Sequence, residues 1–251
     1  MAQDYKFYDK IAKKFGNYYT PHKNVAEYAG ENPEEFFKSK LLECGSNKTA
    51  LDLGCADGMF TLSIAHFFIK IVAIDLSKKM LAAAQKLQKE KKIENVSFEI
   101  EDASHTTYQD NSFDVVYSRR GPTPYEEIKR LLKPNGFFVG ILIGELDCME
   151  IKNVFGRGQD YGLHKISTKA LDVKKLKKLG FKILSTKDYF YNEFYPTYND
   201  LDIFLQGVPI FEDFDSKKDR GKLSEYIRKN TAKKGIKLPR HRVVIIAQIS
   251  K

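Results

Sequence analysis

Leu51-Asp52-Leu53-Gly54-Cys55-Ala56-Asp57-Gly58 carries an apolar strand into a glycine turn that opens a helix. Such a turn brings bare backbone N–H groups and a helix N-terminus against a ligand. An acidic side chain beside it accepts hydrogen bonds from hydroxyl or ammonium groups. The stretch reads as a nucleotide-type cofactor site, and its strand-turn-helix order is the start of a βαβ unit.

Outward from the turn, strand-like and helix-like segments alternate from about residue 48 to about residue 190, which predicts parallel βαβ units in a doubly wound α/β sheet. Thr49–Leu53, Lys70–Ile74, Val96–Ile100 and Asp114–Tyr117 are short, apolar and followed by polar or glycine residues, as strands require. Ser77 caps a helix whose apolar residues Met80, Leu81, Ala84 and Leu87 have amphipathic spacing. Tyr125–Leu132 is a second helix, ended by Lys133-Pro134-Asn135-Gly136, and Phe137–Ile143 a strand buried on both faces. Thr168–Leu179 is a helix stopped by Gly180. Phe181–Phe190 and Arg242–Ile249 are the last two strands, with an insert of about fifty residues where a hairpin turn would suffice. The insert and the tyrosine-rich first 45 residues are both expected to cover the mouth of the sheet. The division is therefore residues 1–45 as an N-terminal helical cap, 46–190 as the cofactor-binding core, 191–240 as a lid insert and 241–251 as the last core strand.

With 251 residues, 42% of them hydrophobic, the chain can bury a sizeable core. Its longest nearly unbroken apolar run, Phe137–Ile143, is far short of the roughly 20 residues that cross a bilayer, and the opening residues lack a signal-peptide stretch. The expectation is a soluble cytoplasmic protein without a membrane partner. Cys44, Cys55 and Cys148 form no CxxC pair and suit reduced thiols, with Cys55 as a small buried residue of the turn. The five histidines are scattered, so no metal site is expected. Between Lys217 and Arg242 eleven basic residues stand against Asp219 and Glu225, so this segment alone accounts for the formal net charge of +9.

Taken together, these motifs resemble those of the class I S-adenosylmethionine-dependent methyltransferases. The resemblance covers about residues 48–190 and the final strand. It implies a Rossmann-like seven-stranded, mostly parallel sheet with the last strand antiparallel, helices on both faces, and S-adenosyl-L-methionine as cofactor, leaving S-adenosyl-L-homocysteine. By resemblance, Asp52 and the turn with Gly54, Ala56 and Gly58 hold the methionine part; Ala56 stands where the family usually has a glycine. Asp75, seventeen residues after Gly58, matches the acid that takes both ribose hydroxyls, and Leu76 and Met80 line the adenine pocket. Asp102-Ala103 resembles the pair whose carboxylate accepts from the adenine amino group. Phe113–Ser118 resembles the fourth strand, bringing Ser118 to the cofactor, and Leu131–Gly136 the turn that follows. A nicotinamide dehydrogenase would require GxGxxG, and the sixth position here is Met59.

Methyl transfer from a sulfonium needs alignment, exclusion of water and, for a protonated acceptor, a base. Candidate bases are Tyr19 and His22 from the N-terminal cap and His164 after the fifth strand. Tyr18, Arg119 and Arg120 are candidate substrate contacts, the arginines for a carboxylate or phosphate. The Asn/Asp-Pro-Pro-aromatic motif of amino-nitrogen methylation in polymers is absent from Ser118–Pro122. A small-molecule acceptor is the first reading, ribosomal or transfer RNA on the basic 217–242 segment the second. A cofactor-binding protein without methylation is the third.

Overall fold

The computed structural model describes residues 5–18, 20–163 and 167–250, with side chains from Phe7 onward. In chain order the elements are α1 Tyr5–Phe15, β1 Val25–Tyr28, α2 Pro33–Gly45, β2 Thr49–Leu53, α3 Met59–Ile64, β3 Lys70–Asp75, α4 Lys78–Lys91, β4 Val96–Ile100 and β5 Phe113–Arg119. They continue with α5 Tyr125–Leu131, β6 Leu132–Ile143, α6 Met149–Phe155, α7 Thr168–Lys178, β7 Phe181–Tyr195, α8 Tyr198–Gly207, α9 Arg220–Asn230, β8 Thr231–Ala232 and β9 Gly235–Ile249. The described strands form one sheet ordered β1-β7-β9-β6-β5-β2-β3-β4, with β8 on β9.

All seven expected strands are present; β4, β3, β2, β5 and β6 run parallel, and β9 lies antiparallel between β6 and β7. Two short strands join them, making nine among the described residues. One is β1, in the stretch expected to be a purely helical cap; it zips Val25–Tyr28 onto the Tyr191–Phe194 end of β7. The expected boundaries at 190 and 241 fall inside strands. Tyr191–Tyr195 pairs with Ile236–Arg240 in one uninterrupted antiparallel ladder, so the insert beyond it is confined to 196–234 and returns through the β8–β9 hairpin. The Lys133–Gly136 turn is looped out within β6 rather than preceding it: Phe113 pairs with Leu132 and Val115 with Phe137.

Local chemistry sets the helix ends. Ser77 Oγ accepts from Met80 N–H (3.2 Å) at the start of α4, and Asn32 Oδ1 accepts from Glu34 N–H (2.9 Å) with Pro33 at the first position of α2. The sheet buries apolar side chains on both faces. One face packs residues such as Phe37, Leu41, Leu62 and Ala84, the other Tyr125, Ile128, Leu131 and Leu176. A third apolar cluster lies off the sheet. Ile151 and Phe155 of α6 pack with Leu201 and Leu205 of α8, Phe211, Leu223 and Tyr226 of α9, and Ile236 and Leu238 of β9. The lid is thus built by two chain segments, α6 and 196–234, around its own core. Arg157 fastens them, binding Asp213 (2.8 Å) and Asp219 (2.8 Å). No described helix is long and apolar enough to cross a membrane.

Candidate functional site

From β2 the chain builds β3 and β4 on one side and then β5 and β6 on the other, so the C-terminal tips of β2 and β5 diverge at a switch point, where open sheets of this kind bind ligands. A cavity of about 1040 Å³ opens there. Its floor is the sheet; its cover is Tyr18, the 20–24 segment and the α8 region, and the last two touch. Lys23 N–H donates to Asp200 Oδ1 (2.9 Å), and the His22 ring lies 5.3 Å from Phe204, edge-on.

One wall is acidic, made by Asp52, Asp57, Asp75, Glu101 and Asp102. The turn between β2 and α3 is held by these acids. Asp75 Oδ2 accepts from Ala56 N–H (2.9 Å) and Asp75 Oδ1 from Ser77 N–H (2.8 Å), which fixes the carboxylate plane between the two strand tips. Asp57 accepts from Tyr18 N–H (3.1 Å), tying the N-terminal segment to the same turn. Gly58 sits at φ +68°, and a Cβ there would meet Phe98 Cζ at 2.6 Å, so both backbone and space demand glycine. Asp52 is buried and accepts from Thr61 Oγ1 (2.6 Å); burial pushes its carboxyl up to about 6, against the pull of its hydrogen bonds. Burial likewise raises Asp75, opposed by the backbone N–H groups that it accepts from. Neither Asp52 nor Asp75 has an ion-pair partner among the described residues.

The opposite wall is basic: Arg119 and Arg120 at the tip of β5, Lys152 on α6, and Arg240 and Arg242 on β9. Arg119 Nε binds Glu34 Oε2 at 2.8 Å, whereas Arg120 Nε stands 3.7 Å from Glu34 Oε1, beyond a hydrogen bond. Arg240 holds Asp147 (2.9 Å) and Glu193 (2.5 Å), and Arg242 Nη1 also reaches Asp147 (2.7 Å). Burial would raise the Asp147 carboxyl, yet the two guanidiniums hold it well below the usual carboxylate range. The loop that carries Asp147 is pinned by His241: its Nδ1 accepts from Leu146 N–H (3.2 Å), so Nε2 faces Asp188 Oδ1 (3.2 Å) as donor.

Of the residues expected at the site, Tyr18, His22, Asp52, Gly54, Ala56, Asp75, Leu76, Asp102, Ala103, Arg119 and Arg120 line this one cavity. Gly58 supports it from behind. Met80 is fully buried against Phe7, Ile11 and Ala12 beneath α1 and does not reach the wall, because α1 covers the helix face that carries it. Ser118 is fully buried, its Oγ without a hydrogen-bond partner, one residue short of the cavity. Cys55, expected as buried, is half-buried and lines the wall. Tyr19 and His164 lie outside the described residues. Sequence reasoning missed Asp57, Asp147, Lys152, Glu193, Arg240 and Arg242. The last two were not set apart from the basic run, because the expected strand began only at Arg242 and left Arg240 in the insert. Their placement also divides the basic 217–242 segment, whose last two arginines face the cavity.

A family profile described as a methyltransferase domain matches residues 45–189. The uncharacterized methyltransferase YcgJ of Bacillus subtilis is 27% identical over 107 residues, covering 40% of this chain and 42% of that protein. Its crystal structure superposes with a TM-score of 0.61 at 17% identity, covering 87% of this chain and 97% of the other. The phosphoethanolamine N-methyltransferase of Triticum aestivum is 33% identical over 114 residues, 42% of this chain and 22% of that one. The demethylmenaquinone methyltransferase of Oceanobacillus iheyensis is 29% identical over 112 residues, 41% and 47% of the two chains. This chain spans less than half the length of each of these curated relatives.

Proposed function

This chain belongs to the methyltransferase-domain family, within the class I S-adenosylmethionine-dependent superfamily, and we propose that it methylates a small-molecule acceptor with S-adenosyl-L-methionine. The acidic wall fits that cofactor. Two buried carboxylates without cationic partners suit a ligand that brings an ammonium, a sulfonium and ribose hydroxyls. Asp52 would take the ammonium, Asp75 the ribose hydroxyls through the lone pairs its backbone bonds leave, and Asp102 the adenine amino group. When bound, the cofactor supplies an electrophilic methyl whose leaving group is already activated.

The residues of this chain do the rest. Segment 20–24 and α8 meet above the cavity and exclude water, which favours transfer to the acceptor over hydrolysis. His22 lines the acceptor side, and burial lowers its pKa from the ordinary 6.5, so the ring is uncharged near neutrality and able to take a proton. The observation that carries the reading is this covered cavity with its acids at one end: it has room for a cofactor and a small acceptor. Two of the relatives are named for phosphoethanolamine and demethylmenaquinone, which supports a small acceptor.

The test is transfer of label from tritiated methyl donor to a metabolite extract and, separately, to total RNA. Label in the metabolite fraction alone is expected. Label in RNA makes the polymer the substrate, and label in neither, with cofactor binding intact by calorimetry, makes the protein a binder only.

A further inference from the structure

Arg242 is 1% exposed and lines the cavity, yet its Nε–H has no hydrogen-bond partner. A buried charged donor left unsatisfied is costly, so native structures rarely retain one without a ligand or water to meet it. It is not isolated. The Arg120 guanidinium, in the same cavity, makes no hydrogen bond within the described residues, its nearest carboxylate oxygen being 3.7 Å from Nε. Lys152 is 6% exposed, faces the same space and forms no ion pair among the described residues. Five cationic side chains line this half of the cavity, while the carboxylates that they contact are Glu34, Asp147 and Glu193. The surplus of positive charge is felt within the cluster: burial, then the charges of Arg119 and Arg242, lower the Arg120 pKa, with Glu34 opposing.

We infer that the methyl acceptor carries an oxyanion group, a carboxylate or a phosphate, seated between Arg120 and Arg242 with Lys152 as a third cation. This rests on the methyltransferase reading and names its substrate class. Both groups present paired oxygens to planar guanidinium forks, and removal from water strengthens each such bond. The cofactor's own carboxylate can neutralise one cation of this wall, which still leaves an excess positive charge for the acceptor.

The experiment titrates inorganic phosphate and, in parallel, acetate into the full chain at constant ionic strength set with chloride. Each titration is run with and without saturating S-adenosyl-L-homocysteine and followed by calorimetry. Saturable binding of one anion over chloride is expected in the loaded protein, phosphate marking a phosphorylated acceptor and acetate a carboxylate. Arg242→Lys and Lys152→Met should each weaken it by about tenfold, and each by more than it weakens homocysteine-cofactor affinity. Lys152→Met leaves no carboxylate orphaned, so its effect is not one of misfolding. Binding of neither anion above chloride, or binding that both variants leave intact, overturns the inference. Failure of the S-adenosyl-L-homocysteine titration itself overturns the cofactor reading instead, and the cofactor-free arm still reports on the basic wall.

Discussion

The two walls of the cavity are built by different means. Every carboxylate of the acidic wall lies within a few residues of a strand tip, and three of them answer to backbone N–H groups of their own or the neighbouring turn. The basic wall is assembled from β5, α6 and β9, which lie far apart in the chain, and its two β9 arginines are tied to one buried aspartate of the loop before α6. The contrast teaches that a cofactor site can be specified locally, by turn chemistry, whereas the acceptor site depends on long-range strand register. It also separates what mutation should do to each wall: stability and acceptor affinity should suffer on the basic side, cofactor affinity on the acidic side.

The sharpest way to break that separation is Arg240→Met. Arg240 is buried between Asp147 and Glu193, and its removal leaves Glu193 without its counter-ion and Asp147 with Arg242 alone. A loss of about 3–5 kcal/mol in urea unfolding is expected. A loss under about 1 kcal/mol would mean that the basic wall is not a structural unit.

On the acidic wall, Asp75→Ala should weaken S-adenosyl-L-homocysteine binding by about 1.5–3 kcal/mol, because it removes the acceptor for the ribose hydroxyls. Calorimetry reads this directly, and an unaltered dissociation constant refutes the role given to Asp75.

The smallest effect expected is one of pH. Burial pushes Asp52 up to about 6, above its value in the unfolded chain. Between the two values the folded protein holds the extra proton, so the contribution of Asp52 to stability falls as pH rises through this window. Ammonium binding requires the ionised form, so affinity for S-adenosyl-L-homocysteine should decline below about pH 6, by at most about tenfold per unit. Asp52→Asn should bind more weakly and flatten that dependence. A wild-type affinity constant from pH 5 to 7 would remove Asp52 from the cofactor site.

The acidic wall was legible for a physical reason. Strand, glycine turn and capped helix are short-range patterns, and Asp52, Asp75 and Asp102 each sit at a fixed offset from a strand end. The same patterns located the Ser77 cap of α4, and α5 and α7 to within a residue. Met80 shows where the reading thins: its helix was placed well, but which of its faces meets the cavity depends on α1 lying over it. Arg240 and Arg242 show the larger gap. As members of the basic 217–242 run they read as part of a possible RNA contact, and the register of β9 on β7 turns them inward.

The amino-acid sequence by itself determined the parallel βαβ core, the glycine turn and the acids around it, because periodicity, capping and turn residues act over a few positions. Tertiary structure alone decided that Val25–Tyr28 joins the sheet, that α6 belongs to the lid, and that two arginines counted with a surface run face a shared interior space. Those outcomes depend on which distant segments pair and at what register, and a one-residue shift in a strand sends each side chain to the opposite face.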